Sequence, residues 1–97
     1  MIYYVDIDGT ICTNTDGFYH EAKPFKDRIA RINRLYDQGH EIHYWTARGS
    51  GSGKDWGDLT YSQLNQWGCK FTTFRLGKPS YDVWIDDKAF NVDEFFA

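Results

Sequence analysis

Short apolar runs that end in, or lead up to, charged or hydroxylated clusters recur four times in this chain, and that pattern constrains the fold more than any other feature. Ile2 to Ile7 is rich in β-formers and closes at Asp8-Gly9. Glu41 to Trp45 ends at Thr46-Ala47-Arg48, and Phe71 to Phe74 leads into the loop Leu76 to Ser80, which carries Lys78. Asp82 to Ile85 ends in Asp86-Asp87. Each run has the length and composition of a buried strand. Between the first two, Pro24 is placed to open a helix in which Phe25, Ile29, Ile32 and Tyr36 recur at helical spacing, with Gly39 as its stop. A second helix is expected over Asp58 to Trp67, with Leu59, Gln63, Leu64 and Trp67 available for one face and Gly68 ending it. Thr10 to Lys23 reads as a loop of hairpin length, Gly49 to Gly53 as a flexible loop, and Lys88 to Ala97 as a tail with a short helical turn.

Strands alternating with helices imply an α/β fold with a parallel sheet of about four strands flanked by helices. Ligands of such sheets bind beyond the carboxyl ends of the strands. Asp6-Asp8, Thr46-Arg48, Lys78 and Asp86-Asp87 would therefore converge on one edge.

The 97 residues suit one domain over 1-97, with 41% apolar residues to build a single core. Aromatics make up 19% of the chain, which favours large rings as core material. The formal net charge is −3 and no Lys or Arg run is present, which argues against a nucleic-acid partner. No apolar window approaches a membrane span, and the first residues lack the basic start and long apolar stretch of an export signal. Cys12 and Cys69 form no metal-spaced pair, so reduced thiols and a cytoplasmic location are expected.

The converging residues match the demands of phosphate-ester hydrolysis. A phosphate repels nucleophiles, and a divalent cation screens its charge and orients its oxygens. Magnesium takes oxygen ligands, which Asp6 and Asp86 can supply, with Asp87 a further candidate. Carboxylates crowded on one edge repel one another without a cation, which itself argues for Mg2+. A carboxylate can be the nucleophile, and Asp6, at the end of the first strand, fits. Asp8, two residues on, can protonate the leaving alkoxide and later activate water. Lys78 can hold Asp6 and a phosphate oxygen together, and Thr46 can donate its hydroxyl to another. Arg48 either contacts substrate or pairs with an acid, and Asp87 can equally cap the next turn or pair with Lys78. His20, His40 and His43 have no ligand spacing, and Trp45 suits the core better than a sugar platform. The Gly49–Gly53 loop lacks the residues of a P-loop.

Asp6-Ile7-Asp8-Gly9-Thr10 resembles the first motif of the haloacid dehalogenase (HAD) superfamily in the form of its phosphatases. Thr46 matches the second motif, Lys78 the third, and Asp86-Asp87 the acidic fourth. The four occur in order and span Asp6 to Asp87. The resemblance implies a Rossmann-like core, Asp6 as nucleophile forming an aspartyl phosphate and Asp8 as general acid/base. It further implies Mg2+ on Asp6, the Asp8 backbone carbonyl and Asp86. Typical members carry a cap domain; the short gaps here imply a capless member, which acts on a large substrate or uses a neighbouring subunit of a homo-oligomer as lid. The stretches Gly77-Lys78-Pro79-Ser80 and Ile85-Asp86-Asp87-Lys88 also look like small phosphatases found near surface-polysaccharide genes.

The leading expectation is hydrolysis of a small phosphorylated metabolite such as a sugar phosphate. The alternatives are a capless phosphatase acting on a phosphoprotein or nucleic-acid end, a phosphotransferase, and a non-catalytic binding domain.

Overall fold

The computed structural model describes Met1–Ala97 and has a three-stranded parallel sheet at its centre. Strands β1 (Ile2–Val5), β2 (Glu41–Trp45) and β3 (Thr73–Arg75) lie side by side in chain order. Helix α1 (Lys26–Asp37) connects β1 to β2 and α2 (Gly57–Gln66) connects β2 to β3. A 3-10 turn at Tyr19–Glu21 lies in the first loop, and a short helix α3 (Val92–Phe95) lies near the C-terminus. No separate cap is present, and no helix is long and apolar enough to cross a membrane.

Both long helices stop as their glycines require. Gly39 and Gly68 adopt φ of 95° and 72°, which a side chain resists. At Gly39 the His40 amide donates to the Leu35 carbonyl and the Gly39 amide to that of Tyr36. At Gly68 the Cys69 amide reaches Leu64 and the Gly68 amide reaches Asn65. Each is a Schellman closure that satisfies carbonyls left over by the last turn.

Register decides which face is covered. Tyr3 lies beside Ile42 and Val5 beside Tyr44, so these four share one face of the sheet. Val5, Ile42 and Tyr44 form one core with Ile29 and Ile32 of α1 and Leu64 of α2. Successive right-handed crossovers running in one direction put both helices on that face. The other face carries Ile2, Tyr4, His43, Trp45, Thr73 and Arg75 and has no helix over it. Aromatic side chains partly shield it: Tyr4 stacks on His43, and Trp45 meets both Tyr4 and Trp84 edge to face.

Two expectations are corrected. The third strand starts at Thr73 rather than Phe71, because the Thr72 hydroxyl takes the Ile42 amide and interrupts the ladder there. The expected fourth strand, Asp82 to Ile85, is absent, so the sheet has three strands rather than about four. Val83 and Ile85 are 73% and 93% exposed. Lys78 is held at the carboxyl end of the sheet, and the four residues from it to Asp82 are too few to return to the amino end, where a parallel neighbour of β1 must begin.

Cys12 and Cys69 are free and buried. Burial, with the Asp8 charge behind it, pushes the Cys12 thiol from 9.0 up to about 12, and burial pushes that of Cys69 up to about 11. The folded state therefore keeps protons that the unfolded chain releases above pH ~9. The stability carried by these protonated thiols is complete below that pH and is lost as the pH rises towards 11 to 12. Urea midpoints should hold steady between pH 6 and 8 and fall above about pH 9. Cys69→Ala should flatten part of that alkaline slope; an unchanged slope would count against this account.

Candidate active site

The site begins where β1 ends. After Val5 the chain turns tightly, with the Thr10 and Ile11 amides both donating to the Ile7 carbonyl and the Gly9 amide donating to Cys12. Gly9 adopts φ of 82°, and a Cβ there would meet the Asn14 side chain at 2.6 Å. The base of the first loop is closed by Thr13 on the Lys23 carbonyl and Phe25 on that of Ile11. Arg28 of α1 reaches back to the Thr10 carbonyl at 3.1 Å. Asp6 and Asp8 are thus fixed by backbone as well as by partners.

Asp6 stands at the sheet edge with its side chain 36% exposed. Its Oδ2 accepts from the Thr10 hydroxyl at 3.1 Å, and its Oδ1 lies 3.4 Å from Lys78 Nζ. Lys78 is held in turn: its amide donates to the Thr46 carbonyl at 3.1 Å, and its carbonyl accepts from the Ser50 hydroxyl at 2.7 Å. Thr46, at the end of β2, is buried, and its Oγ1 accepts from the Arg48 amide at 3.1 Å. Its own hydroxyl proton remains free to donate.

Asp8 is gripped by Arg48. Nε donates to Oδ2 at 2.9 Å and Nη2 to Oδ1 at 2.8 Å, a bidentate pair. Arg48 Nη1 donates to Thr60 and Gln63 of α2, at 3.2 and 2.6 Å. Gln63 then donates to the Tyr19 carbonyl at 2.7 Å, and the Arg48 guanidinium lies 4.7 Å from the centre of the Tyr19 ring. The Arg48 side chain is fully buried and that of Asp8 17% exposed. Burial alone would pull the guanidinium down, but the hydrogen bonds and charge of Asp8 outweigh it, and Arg48 stays charged.

Asp6, Asp8 and Arg48 line an open cleft of about 510 Å³, with Thr46 and Lys78 packed behind Asp6 and Arg48 rather than on its surface. Asp6 and Asp8 lie at its base, Asn14 to Gly17 and Tyr19 form one wall, and the loop from Ala47 to Lys54 with Trp56 forms the other. The loop turns at Gly49, φ 84°, where a Cβ would collide with the Lys54 carbonyl. Tyr19 and Trp56 meet edge to face at 5.0 Å, and the Thr15 hydroxyl is buried beside the cleft without a partner.

The structure therefore brings Asp6, Asp8, Thr46, Arg48 and Lys78 together. Arg48, expected on substrate or an acid, borders the cleft, but its guanidinium is spent on the acid. Asp86 and Asp87 stand apart and exposed. The Lys88 amide and the Trp84 indole donate to Asp86 and hold its carboxyl below the usual range. No three carboxylate, His or Cys side chains gather as a metal site. Sequence reasoning missed the bond from Thr10 to Asp6 and the support of Arg48 by Thr60 and Gln63. The polar Thr60 and Gln63 inside the apolar stripe of a helix were the available signal.

The sequence matches no family model and no curated protein. Among solved structures, the chain is similar to a crystal structure of a target protein from Vibrio cholerae, with a TM-score of 0.84 and 24% identity. The match covers 97% of this chain and 85% of the other. At that identity the likeness shows the fold, a small α/β unit, and carries nothing of its chemistry.

Removing Arg48 would leave Asp8 partly buried without its cation. Arg48→Met should lower stability by about 3 kcal/mol, because one member of a buried pair is left behind. Arg48→Met with Asp8→Leu should recover much of that loss in urea titrations; no recovery would mean that the pair is not coupled.

Proposed function

We propose that this chain is a phosphatase of the HAD type, in which Asp6 takes the phosphoryl group of a phosphomonoester. The observation that carries this reading is Asp6 itself: a carboxylate at a strand end, open to the cleft, with Lys78 Nζ 3.4 Å from one oxygen and the Thr10 hydroxyl on the other. Lys78 can neutralise a phosphate oxygen while it orients the nucleophile. An Asp6 oxygen attacks phosphorus in line, the bond from phosphorus to the ester oxygen breaks, and Asp8 gives its proton to the departing alkoxide. Water then attacks the aspartyl phosphate, Asp8 takes the proton, and phosphate leaves with Asp6 restored. Asp8 can move a proton only when one of its two bonds to Arg48 lengthens. Arg48 is thus a positioning residue that sets where Asp8 points.

Mg2+ belongs to the proposal on chemical grounds, since a phosphate dianion beside two carboxylates needs a cation to screen it. The side chains as arranged do not form its ligand set, because Asp86 and Asp87 lie away from Asp6, so no step above is routed through it. The substrate class proposed is a small phosphorylated metabolite such as a sugar phosphate. The cleft volume of about 510 Å³ lies within the usual range for small-molecule sites, and Tyr19 and Trp56 offer ring edges and faces to a hydroxylated ring. The lack of a cap favours a second reading, a macromolecular phosphoester that covers the site itself. The buried thiols are consistent with a reducing, cytoplasmic setting.

Phosphate release from an aryl phosphate and a panel of sugar phosphates should depend on Mg2+ and fall by at least about 10³-fold in Asp6→Asn, whose volume is unchanged. Turnover near wild type in that variant would refute Asp6 as nucleophile. Release only from phosphopeptides or nucleic-acid ends would replace the metabolite by the second reading.

A further inference from the structure

We propose that the chain from Tyr81 onward is an arm exchanged between two copies. In this arrangement Asp82–Ile85 of one copy adds as a fourth parallel strand to the free edge of β1 in the other. Asp86 and Asp87 then arrive beside the other copy's Asp6. The role of those acids rests on the phosphatase reading; the exchange itself does not.

The arm has strand character with nothing to pair with. Val83 and Ile85 alternate with Trp84, and all three are exposed, at 73%, 93% and 43%. Period two would place Val83 and Ile85 on the helix-covered face, beside Tyr3 and Val5, and Trp84 on the open face, beside Tyr4 and Trp45. β1 supplies the matching vacancy. It pairs only with β2, its other edge is open, and its sequence Ile2-Tyr3-Tyr4-Val5 has no charge or proline to blunt that edge. No backbone hydrogen bond joins residues 79 to 90 to β1.

The arm cannot fill that edge in its own copy. Lys78 is fixed over the carboxyl end of β2 by its amide on Thr46, its carbonyl on Ser50 and its Nζ at Asp6. A parallel strand ending with Asp86 beside Asp6 must start at the level of Ile2. That start lies about 13 Å down the sheet and about 10 Å across it, at ~3.3 Å per residue and ~4.8 Å per strand, so the straight path is about 16 Å. Four residues from Lys78 to Asp82 span at most about 14 Å when fully stretched, and the straight path would cut through the sheet. In a second copy the β1 edge is not fixed relative to Lys78, so the same four residues need only span the distance at which the two copies meet. Reciprocal exchange closes both β1 edges under one two-fold axis, the usual form of a swapped dimer. Helix α3 travels with the arm, so its contacts with α1, Arg31 against Phe95 and Arg28 against Phe96, become contacts between copies.

The test uses the full chain and reads mass first. Native mass spectrometry and light scattering should give a dimer for wild type and a monomer for Ile85→Asp. Ile85 is almost fully exposed in the single chain, so that monomer should keep the wild-type circular dichroism spectrum. A monomeric wild type, or a dimer that Ile85→Asp leaves intact, would overturn the exchange. Co-expression of Asp6→Asn with Asp86→Asn/Asp87→Asn should restore about one quarter of wild-type phosphatase activity, because half of the dimers are mixed and each has one intact site. No restoration beside an active wild type would overturn the supply of acids by the arm. A wild-type dimer that Ile85→Asp splits, without phosphatase activity, would sink the functional reading and leave the exchange standing.

Discussion

The buried guanidinium of Arg48 ties together the ends of two strands, a helix and the first loop. It sits just past the end of β2, clamps Asp8 on the loop after β1, and is held by Thr60 and Gln63 of α2. Gln63 passes the connection on to the Tyr19 carbonyl in the first loop. A charge this deep is costly unless paired and fully hydrogen-bonded. Here the carboxylate supplies the counter-charge and two acceptors, and the helix supplies two more. Satisfying this one side chain couples the position of Asp8, the wall of the cleft at Tyr19 and the polar stripe of α2.

The sheet gives the site its other constraint. Two crossovers in the same direction put both long helices on one face, leaving the opposite face to aromatic side chains and the β1 edge to solvent. A three-stranded sheet with one helical layer can bury few residues completely. The core is correspondingly small, centred on Ile7, Ile11, Ile32, Ile42, Tyr44 and Leu64. Tyr44 and the two cysteines place polar atoms within it. The Tyr44 hydroxyl is buried without a hydrogen-bond partner, and burial drives its ionisation well above the ordinary tyrosine range.

Much of this was legible in the residues. The two helices, their glycine stops, the first two strands and the short helical tail follow from local periodicity and turn chemistry, although the first strand ends at Val5 rather than Ile7 and the first helix starts at Lys26, after Pro24 has bridged to Cys12. The approach of Lys78 to Asp6 was legible because both follow strand ends, and parallel strands bring such ends to one edge. Arg48 was ambiguous, since one sequence position cannot say whether an arginine faces outward to a ligand or inward to an acid. Thr60 and Gln63 settle that, and they lie a helix away. The start of β3 was misplaced because Thr72 competes for the ladder with its hydroxyl. The segment Asp82–Ile85 has the composition of a strand, but forming one also requires a reachable edge. That condition depends on where Lys78 is anchored, a fact of tertiary structure.

Charge balance links the site to the arm. Asp6 and Asp8 are matched by Lys78 and Arg48, so the floor of the cleft is near neutral before any substrate enters. Arg48 offers a phosphate little, because Asp8 already occupies two of its donor positions and Thr60 and Gln63 of α2 two more. Lys78 alone must then face both the nucleophile and a dianion. On the proposed chemistry that deficit calls for a further cation, and a cation at that edge calls for carboxylates beyond Asp6 and Asp8. Asp86 and Asp87 are adjacent exposed acids without a cationic partner, and they end the segment that lacks a strand partner. The missing charge and the missing strand therefore point to the same six residues, Asp82–Asp87, and one rearrangement, the addition of the arm to a β1 edge, would answer both.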